Sequence, residues 1–184
     1  MRHMSKKSKK VFPNSTVNAF HEDGDVKIVS ATSEHASYLQ HRLRATDIRE
    51  CMIHGSTPWR ALYEPLGDET AITWTGLYKD EPICMFGLSP IMYHEDINCG
   101  IVWMLGSSVV DKIPFQFVRT SRDVVKYMIT VYDTIENVVP MDHEHTIRWL
   151  CSLGFMFAEE PTIVNGFSCL RFVRCTDSIT VRFQ

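Results

Sequence analysis

The chain has 184 residues, 45% of them hydrophobic, which favours one globular domain with a real core. No run of about 18 apolar residues occurs, so we expect no membrane span. The basic start lacks an apolar stretch and is therefore not a secretory signal. The six cysteines include no C-x-x-C pair, which indicates reduced thiols in a cytoplasmic compartment.

Charge is unevenly distributed along the sequence. The net charge is -3, and residues 1–10 carry five basic residues and no acid, which leaves -8 for the remainder. An acidic body argues against a nucleic-acid-binding domain. We expect residues 1–25 to form a basic flexible tail and residues 26–184 to form a single domain, although the tail could instead contact RNA, DNA or a membrane.

The apolar pattern changes period several times along the chain. Helical spacing, capping residues and stop residues mark the helices, and runs of β-branched and aromatic residues mark the strands. In chain order we predict a strand at 26–32, helical segments at 33–43, 44–55 and 57–67, strands at 71–78, 83–93 and 100–107, a helix at 114–134, a strand at 135–139, a helix at 142–153, and final strands at 155–164 and 167–174.

Several local features support these boundaries. Ser33 and Asp142 are the expected N-caps of the helices that they precede. Residues 100–107 are almost continuously apolar, which is typical of a strand buried on both faces. Asn165-Gly166 predicts a tight hairpin turn between the last two strands. The elements together indicate one α/β (α+β) domain, in which an antiparallel meander is followed by strands joined through a helical crossover.

An ordered series of motifs accompanies these elements and resembles the small GNAT-like acetyltransferases of short-tailed bacteriophages and prophages. The likeness covers roughly residues 26–174. It implies a GNAT-like mixed sheet of about six to seven strands, with a splayed central strand pair and helices on both faces. The motifs are Arg44-x-x-Asp47-x-x-Glu50, Trp103-x-Leu105-Gly106, Ser121-Arg122, Asn137-x-Val139 and Ile147-Arg148-Trp149-Leu150-x-x-Leu153-Gly154-Phe155.

This resemblance implies acetyl-CoA as cosubstrate. A splayed strand leaves backbone amides unpaired, so the pantetheine arm can bind as an added strand, and the pyrophosphate can bind at the start of the following helix. The implied pantetheine site is Trp103, Met104, Leu105 and Gly106. The implied phosphate site lies near Ser107, Ser108, Lys112, Arg119 or Arg122.

Two positions depart from the GNAT pattern. The segment SSVVDKIPFQFVRTSR lacks the glycine pair that usually lets the backbone approach a pyrophosphate. Side chains must therefore hold the phosphates, or CoA binds weakly or not at all. Leu150 occupies the position of the tyrosine that usually protonates the CoA thiolate, and a leucine cannot donate a proton.

Acetyl transfer to an amine needs a base, and three sets of residues are candidates. Asp47 and Glu50 lie three residues apart on a helix with Arg44, although a surface ion network is the alternative. His143 lies in the first turn of its helix, where the dipole would keep it neutral; an exposed histidine is the alternative. Glu95 and Asp96 are the third set, or ordinary loop polarity. His143 and His145 point to different helix faces, so we expect no metal site.

Two functional hypotheses remain from different classes. The first is a phage-encoded, acyl-CoA-dependent N-acyltransferase that works in the host cytoplasm and transfers acetyl to an amine of a host protein or small molecule. The second is a catalytically degenerate GNAT-fold protein that binds and modulates a host enzyme or is associated with the virion. The sequence leaves the oligomeric state open.

Overall fold

A computed structural model describes residues 21–91 and 98–176 of the protein. Within these ranges one sheet and five α-helices make up the domain, and none of the helices combines the length and apolar character of a membrane span. The helices are α1 (Ser33–Leu39), α2 (Ala45–Ile53), α3 (Pro58–Gly67), α4 (Pro114–Val131) and α5 (Glu144–Ser152). The strands are β1 (His21–Asp23), β2 (Val26–Ser30), β3 (Ile72–Tyr78), β4 (Glu81–Pro90), β5 (Cys99–Gly106), β6 (Thr134–Pro140), β7 (Met156–Phe157), β8 (Thr162–Val164) and β9 (Phe167–Cys175).

The sheet runs in the order β1-β2-β3-β4-β5-β6-β9-β7, with β8 also paired to β9. Only β5 and β6 pair in parallel, so the predicted mixed α/β sheet with a helical crossover is confirmed. It has nine strands rather than six to seven for two reasons. Residues 21–23, assigned by the sequence to the tail, pair with β2, and the predicted strand 155–164 is divided into β7 and β8 around Pro161.

Two tight turns fix the register of the hairpins. Lys79 and Asp80 join β3 to β4, and Asn165 and Gly166 join β8 to β9. All four residues have positive φ angles between 47° and 86°, which is the geometry of a two-residue turn that matches strand twist. The predicted Asn165-Gly166 hairpin is therefore confirmed.

Two predicted N-caps are wrong by one residue. Thr32, not Ser33, caps α1, because its side-chain oxygen accepts a hydrogen bond from the backbone of His35. His143, not Asp142, occupies the N-cap position of α5. The Asp142 carboxylate instead pairs with Arg49 of α2, 2.9 Å away. This displacement brings an imidazole, rather than a carboxylate, to the start of α5.

Helices cover both faces of the sheet, as the sequence predicts. The helices α1, α2 and α3 pack on one face around Leu39, Leu62 and Met85, and α4 and α5 pack on the other around Met128 and Leu150. Side chains of β4 alternate between the two cores, because successive strand residues point to opposite faces. Both cores reach β5, which therefore lies at the centre of the domain.

The prediction that residues 100–107 are buried on both faces is wrong. Ile101 is exposed, and Val102, Trp103 and Met104 are only partly buried. For Val102, Trp103 and Met104 the reason is the pairing of β5, which joins β6 only from Cys99 to Ile101. Beyond that point the two strands separate, so the carboxyl-terminal half of β5 borders a gap instead of a neighbouring strand.

Gly154 ends α5 and is the basis of a stability prediction. Its φ angle is +81°, and an added Cβ would lie 2.7 Å from a terminal nitrogen of Arg174. Both strain and a steric clash should therefore destabilise Gly154→Ala. We expect a loss of about 1–3 kcal/mol in the free energy of unfolding, measured by urea denaturation. Gly67→Ala is the matched control, because no atom lies within 4 Å of its Cβ position and its φ is not positive; an equal loss in both variants would contradict this account.

Candidate active site

The separation of β5 and β6 begins at Asn137. Its side-chain amide donates a hydrogen bond of 2.8 Å to the Val102 carbonyl across the gap, and its side-chain oxygen accepts one from the Val138 backbone. At the point where the strands separate, the Asn137 side chain thus takes the place of the backbone hydrogen bonds between β5 and β6. Asn137 is part of a sequence motif, but the motif does not indicate its role, because its partner Val102 is 35 residues away in the sequence.

Met104 is the β5 residue whose backbone faces the open gap. Residues two apart along a strand present their N–H and C=O groups to the same side, and Val102 faces β6. Trp103 and Leu105 face the other way, toward Gly87 and Met85 of β4. Of the four residues of the implied pantetheine site, Met104 is therefore the one that can offer both backbone groups to a ligand.

Gly106 faces the gap as well, but α2 occupies its backbone groups. The carboxylate of Asp47 accepts a 2.6 Å hydrogen bond from the Gly106 N–H, and the Gly106 carbonyl accepts one of 2.9 Å from the Arg44 N–H. The Arg44 guanidinium also donates to both oxygens of Asp47. The open stretch of β5 is consequently closed at its end by the start of α2.

These contacts indicate that Asp47 has a structural role. Its side chain is 5% exposed, and both carboxylate oxygens accept hydrogen bonds from Arg44. Burial raises the pKa of Asp47, while the Arg44 charge and the Gly106 hydrogen bond act in the opposite direction. A base needs a lone pair directed at its substrate, so the geometry favours a holding role for Asp47 over proton transfer.

A cavity of about 1120 Å³ lies along the gap, between α2 on one side and α4 and α5 on the other. Phe117 of α4 and Trp149 of α5 stack in its wall, with ring centroids 5.3 Å apart. Five carboxylates and one guanidinium line the cavity, and four of these carboxylates form ion pairs with Arg44, Arg49 or Arg148. These charged residues are Arg44, Asp47, Glu50, Asp111, Asp142 and Glu144.

Glu50 and His143 meet in this cavity. The Nδ1 atom of His143 lies 3.0 Å from Oε1 of Glu50, and the two side chains are 8% and 22% exposed. A terminal nitrogen of Arg49 lies 3.5 Å from Nε2 of His143. Because arginine only donates, these partners assign the Nδ1–H to Glu50 and leave the lone pair on Nε2. Burial raises the pKa of Glu50, and its hydrogen bond with His143 opposes that rise.

Three residues that line the cavity carry a buried polar atom without a hydrogen-bond partner within the described part of the chain. The atoms are Trp103 Nε1, Thr120 Oγ1 and Trp149 Nε1. Trp103 Nε1 lies close to Gly87 of β4. The open backbone of Met104, rather than these atoms, fits the amides of a pantetheine arm.

The residues of the implied phosphate site are dispersed. Ser107 is buried and donates its hydroxyl to the Ile83 carbonyl, whereas Ser108 and Lys112 are exposed just before α4. The helix α4 begins without a side-chain cap, so its first N–H groups are available to an anion. Arg119 pairs instead with Asp23 of β1. Arg122 lies farther along α4, beside a separate pocket.

Leu150 is buried at 5% exposure and lines the cavity. The position that the resemblance assigns to a proton donor therefore does face the gap, but it brings an apolar side chain. Cys151 is exposed on another face of α5. The third set of base candidates, Glu95 and Asp96, lies outside the described residues, as does the basic segment 1–20.

Comparison with solved structures decides the fold. A ribosomal-protein-S5-alanine acetyltransferase from Vibrio fischeri matches with a TM-score of 0.61 and 16% identity, over 85% of this chain and 96% of that one. The aminoglycoside acetyltransferase AAC(6')-Ib, in complex with ribostamycin and coenzyme A, matches with a TM-score of 0.62 and 13% identity, over 82% and 93%. The chain has the GNAT fold.

A third structure with the GNAT fold is the spermidine N-acetyltransferase from Vibrio cholerae, in complex with CoA and spermine. It matches with a TM-score of 0.60 and 11% identity, over 83% of this chain and 96% of that one. No protein family matches the sequence, and no curated protein is similar to it. The structural likeness shows the fold alone.

Within this GNAT fold, the holding role of Asp47 makes a prediction. Asp47→Ala removes the acceptor of the buried Gly106 N–H and the partner of Arg44, and we expect a loss of about 2 kcal/mol or more in the free energy of unfolding. Asp47→Asn keeps an acceptor oxygen and should lose less. Urea denaturation measures both, and equal stability of Asp47→Ala and the unchanged protein would contradict the role.

Proposed function

We propose that the protein is an N-acetyltransferase that transfers acetyl from acetyl-CoA to a primary amine. The observation that carries this proposal is a single cavity with the open backbone of Met104 along one side and the Glu50–His143 pair at the other. The neighbours of the same fold include three N-acetyltransferases, two of them in complex with CoA.

Acetyl-CoA supplies a thioester that an amine can attack. The N–H and C=O of Met104 bind the amide arm, as a sheet edge binds an added strand. Lys112 and the uncapped start of α4 lie at the end where a pyrophosphate would leave the cavity.

The proton of the incoming ammonium goes to Nε2 of His143, after Arg49, whose terminal nitrogen lies 3.5 Å from that atom, has turned away from it toward Asp142. Glu50 accepts the Nδ1–H, so it fixes the tautomer and stabilises the imidazolium that forms, which is the role of the carboxylate in a catalytic triad. Asp142 forms an ion pair with Arg49 at 2.9 Å, and this carboxylate offsets the positive charge of the guanidinium. The deprotonated amine is then the nucleophile.

The leaving thiolate does not require a protein acid. A thiol has a pKa of about 8.5, so the thiolate is a moderately good leaving group that can take its proton from water. Transfer should therefore be slower with Leu150 than with a tyrosine at this position, but Leu150 does not prevent it. The same residue is what favours the second candidate, a degenerate GNAT-fold protein that binds a partner without turnover.

The charge of the cavity indicates the class of acceptor. Five carboxylates line the cavity and three arginines pair with four of them, so the remaining negative charge favours an amine that is carried by a cationic molecule or by a lysine-bearing or N-terminal segment of a protein. We propose such an acceptor in a bacterial cytoplasm infected by the phage, where it could be a host protein or a small amine.

Removal of either member of the Glu50–His143 pair should reduce turnover. We expect His143→Ala to lower kcat/KM by about 10²–10⁴-fold, which is the usual contribution of a general base. Glu50→Gln should also lower kcat/KM, because it removes both the acceptor that fixes the tautomer and the charge that stabilises the imidazolium. Release of free CoA thiol, with spermine and a host lysate as acceptors, measures the rate.

Glu144→Gln is the matched control, because Glu144 also lines the cavity but pairs with exposed Arg148. Its kcat/KM should stay within about threefold of the unchanged protein. Equal rates in His143→Ala and the unchanged protein would contradict the base assignment. Absence of turnover in the unchanged protein, together with saturable binding of acetyl-CoA, would favour the non-catalytic candidate.

The pH dependence follows from burial of Glu50. Burial raises the pKa of Glu50 above its ordinary value of 4.5, so protonation begins at a higher pH than for an exposed carboxyl. Protonation of Glu50 removes the carboxylate that fixes the tautomer of His143 and stabilises the imidazolium, so kcat/KM should fall as the pH falls through this raised pKa. Glu50→Gln should shift or abolish that fall; an identical pH profile in this variant would contradict the pairing.

A further inference from the structure

A second pocket, of about 250 Å³, lies on the outer flank of α4, next to the end of α5 and the end of β9. We name it the basic pocket after its three charged residues, Arg122, Lys126 and Arg174. Val125 and Leu153 form its apolar floor. No acidic side chain is among the described residues that line it.

The arginines of the basic pocket differ from most other arginines in the described part of the domain. Six of the nine arginines in residues 21–91 and 98–176 form ion pairs with a carboxylate. Arg122 and Arg174 do not have a carboxylate partner among the described residues. Lys126 has only Asp123, at 3.7 Å on the exposed surface of the same helix.

Arg174 is held in place with part of its donor capacity unused. One terminal nitrogen donates to the Gly154 carbonyl at 3.1 Å, whereas its Nε atom is buried without a partner in the described structure. The guanidinium lies where a Cβ on residue 154 would be, only 2.7 Å from that position. The glycine that ends α5 is thus also what admits this arginine to the pocket.

The pocket is next to the catalytic cavity. Val125 and Leu153 line both spaces, so the two are separated only by these side chains between α4 and α5. This proximity matters because the usual glycine-bearing phosphate loop is absent here.

We propose that the basic pocket binds a phosphate monoester. Two guanidinium groups and an ammonium match its two negative charges, and a guanidinium can bind two phosphate oxygens at once. The phosphate could be the 3′-phosphate of the acyl donor, a reading that rests on the proposed function. It could also belong to a free phosphate compound that binds independently of the cavity.

Calorimetric titration of the full chain with CoA, 3′-dephospho-CoA and inorganic phosphate separates these sources. We expect CoA to bind about tenfold or more tightly than 3′-dephospho-CoA, and Arg122→Gln to remove that difference. Arg122 is exposed, so this variant should fold normally, which its melting temperature checks. Arg60→Gln is the matched control, because Arg60 lies on α3 and pairs with Glu64.

The remaining outcomes are distinct. Equal affinity for both forms of CoA, with phosphate binding that Arg122→Gln removes, would support the site and assign it to a free phosphate compound. Unaltered binding of every ligand in Arg122→Gln would overturn the inference and leave the proposed function intact. Failure of both forms of CoA to bind, with phosphate binding retained, would overturn the proposed function alone.

Discussion

The separation of β5 from β6 after Ile101 is the feature on which the rest of the site depends. Two contacts define the resulting gap: the Asn137 side chain bonds Val102 at its vertex, and Asp47 bonds Gly106 at its far end. Between them one residue, Met104, keeps its backbone facing open space. In a sheet such an edge is costly unless something pairs with it, and the cavity beside it provides room for a partner.

Local sequence patterns predicted much of the fold. The Asn165-Gly166 turn, the glycine after α5 and the three helices before β3 were all predicted, because each depends on residues close in sequence. The caps were less predictable. Asp142 has the side chain of an N-cap, yet its partner is Arg49, 93 residues away, and that long-range ion pair prevails over the local preference.

The site was only partly predictable, because some of its contacts join residues that are far apart in sequence. Helical spacing placed Asp47 and Glu50 together, but it gave both the same role. Their separation into a holding residue and a partner of His143 depends on Gly106 and on the start of α5, neither of which is near α2 in sequence. Of the basic pocket only Arg122 was named from the sequence, through the resemblance, because Arg174 belongs to β9 and meets α4 only through the fold.

Amide hydrogen exchange at Met104, followed by NMR with and without acetyl-CoA, tests the central claim most directly. If the amide arm of the donor pairs with the open edge, exchange at Met104 should slow on binding. Trp103 and Leu105, which already face β4, should change much less. Unaltered exchange at Met104 under saturating acetyl-CoA would contradict the account, since the open edge would then not be the binding surface.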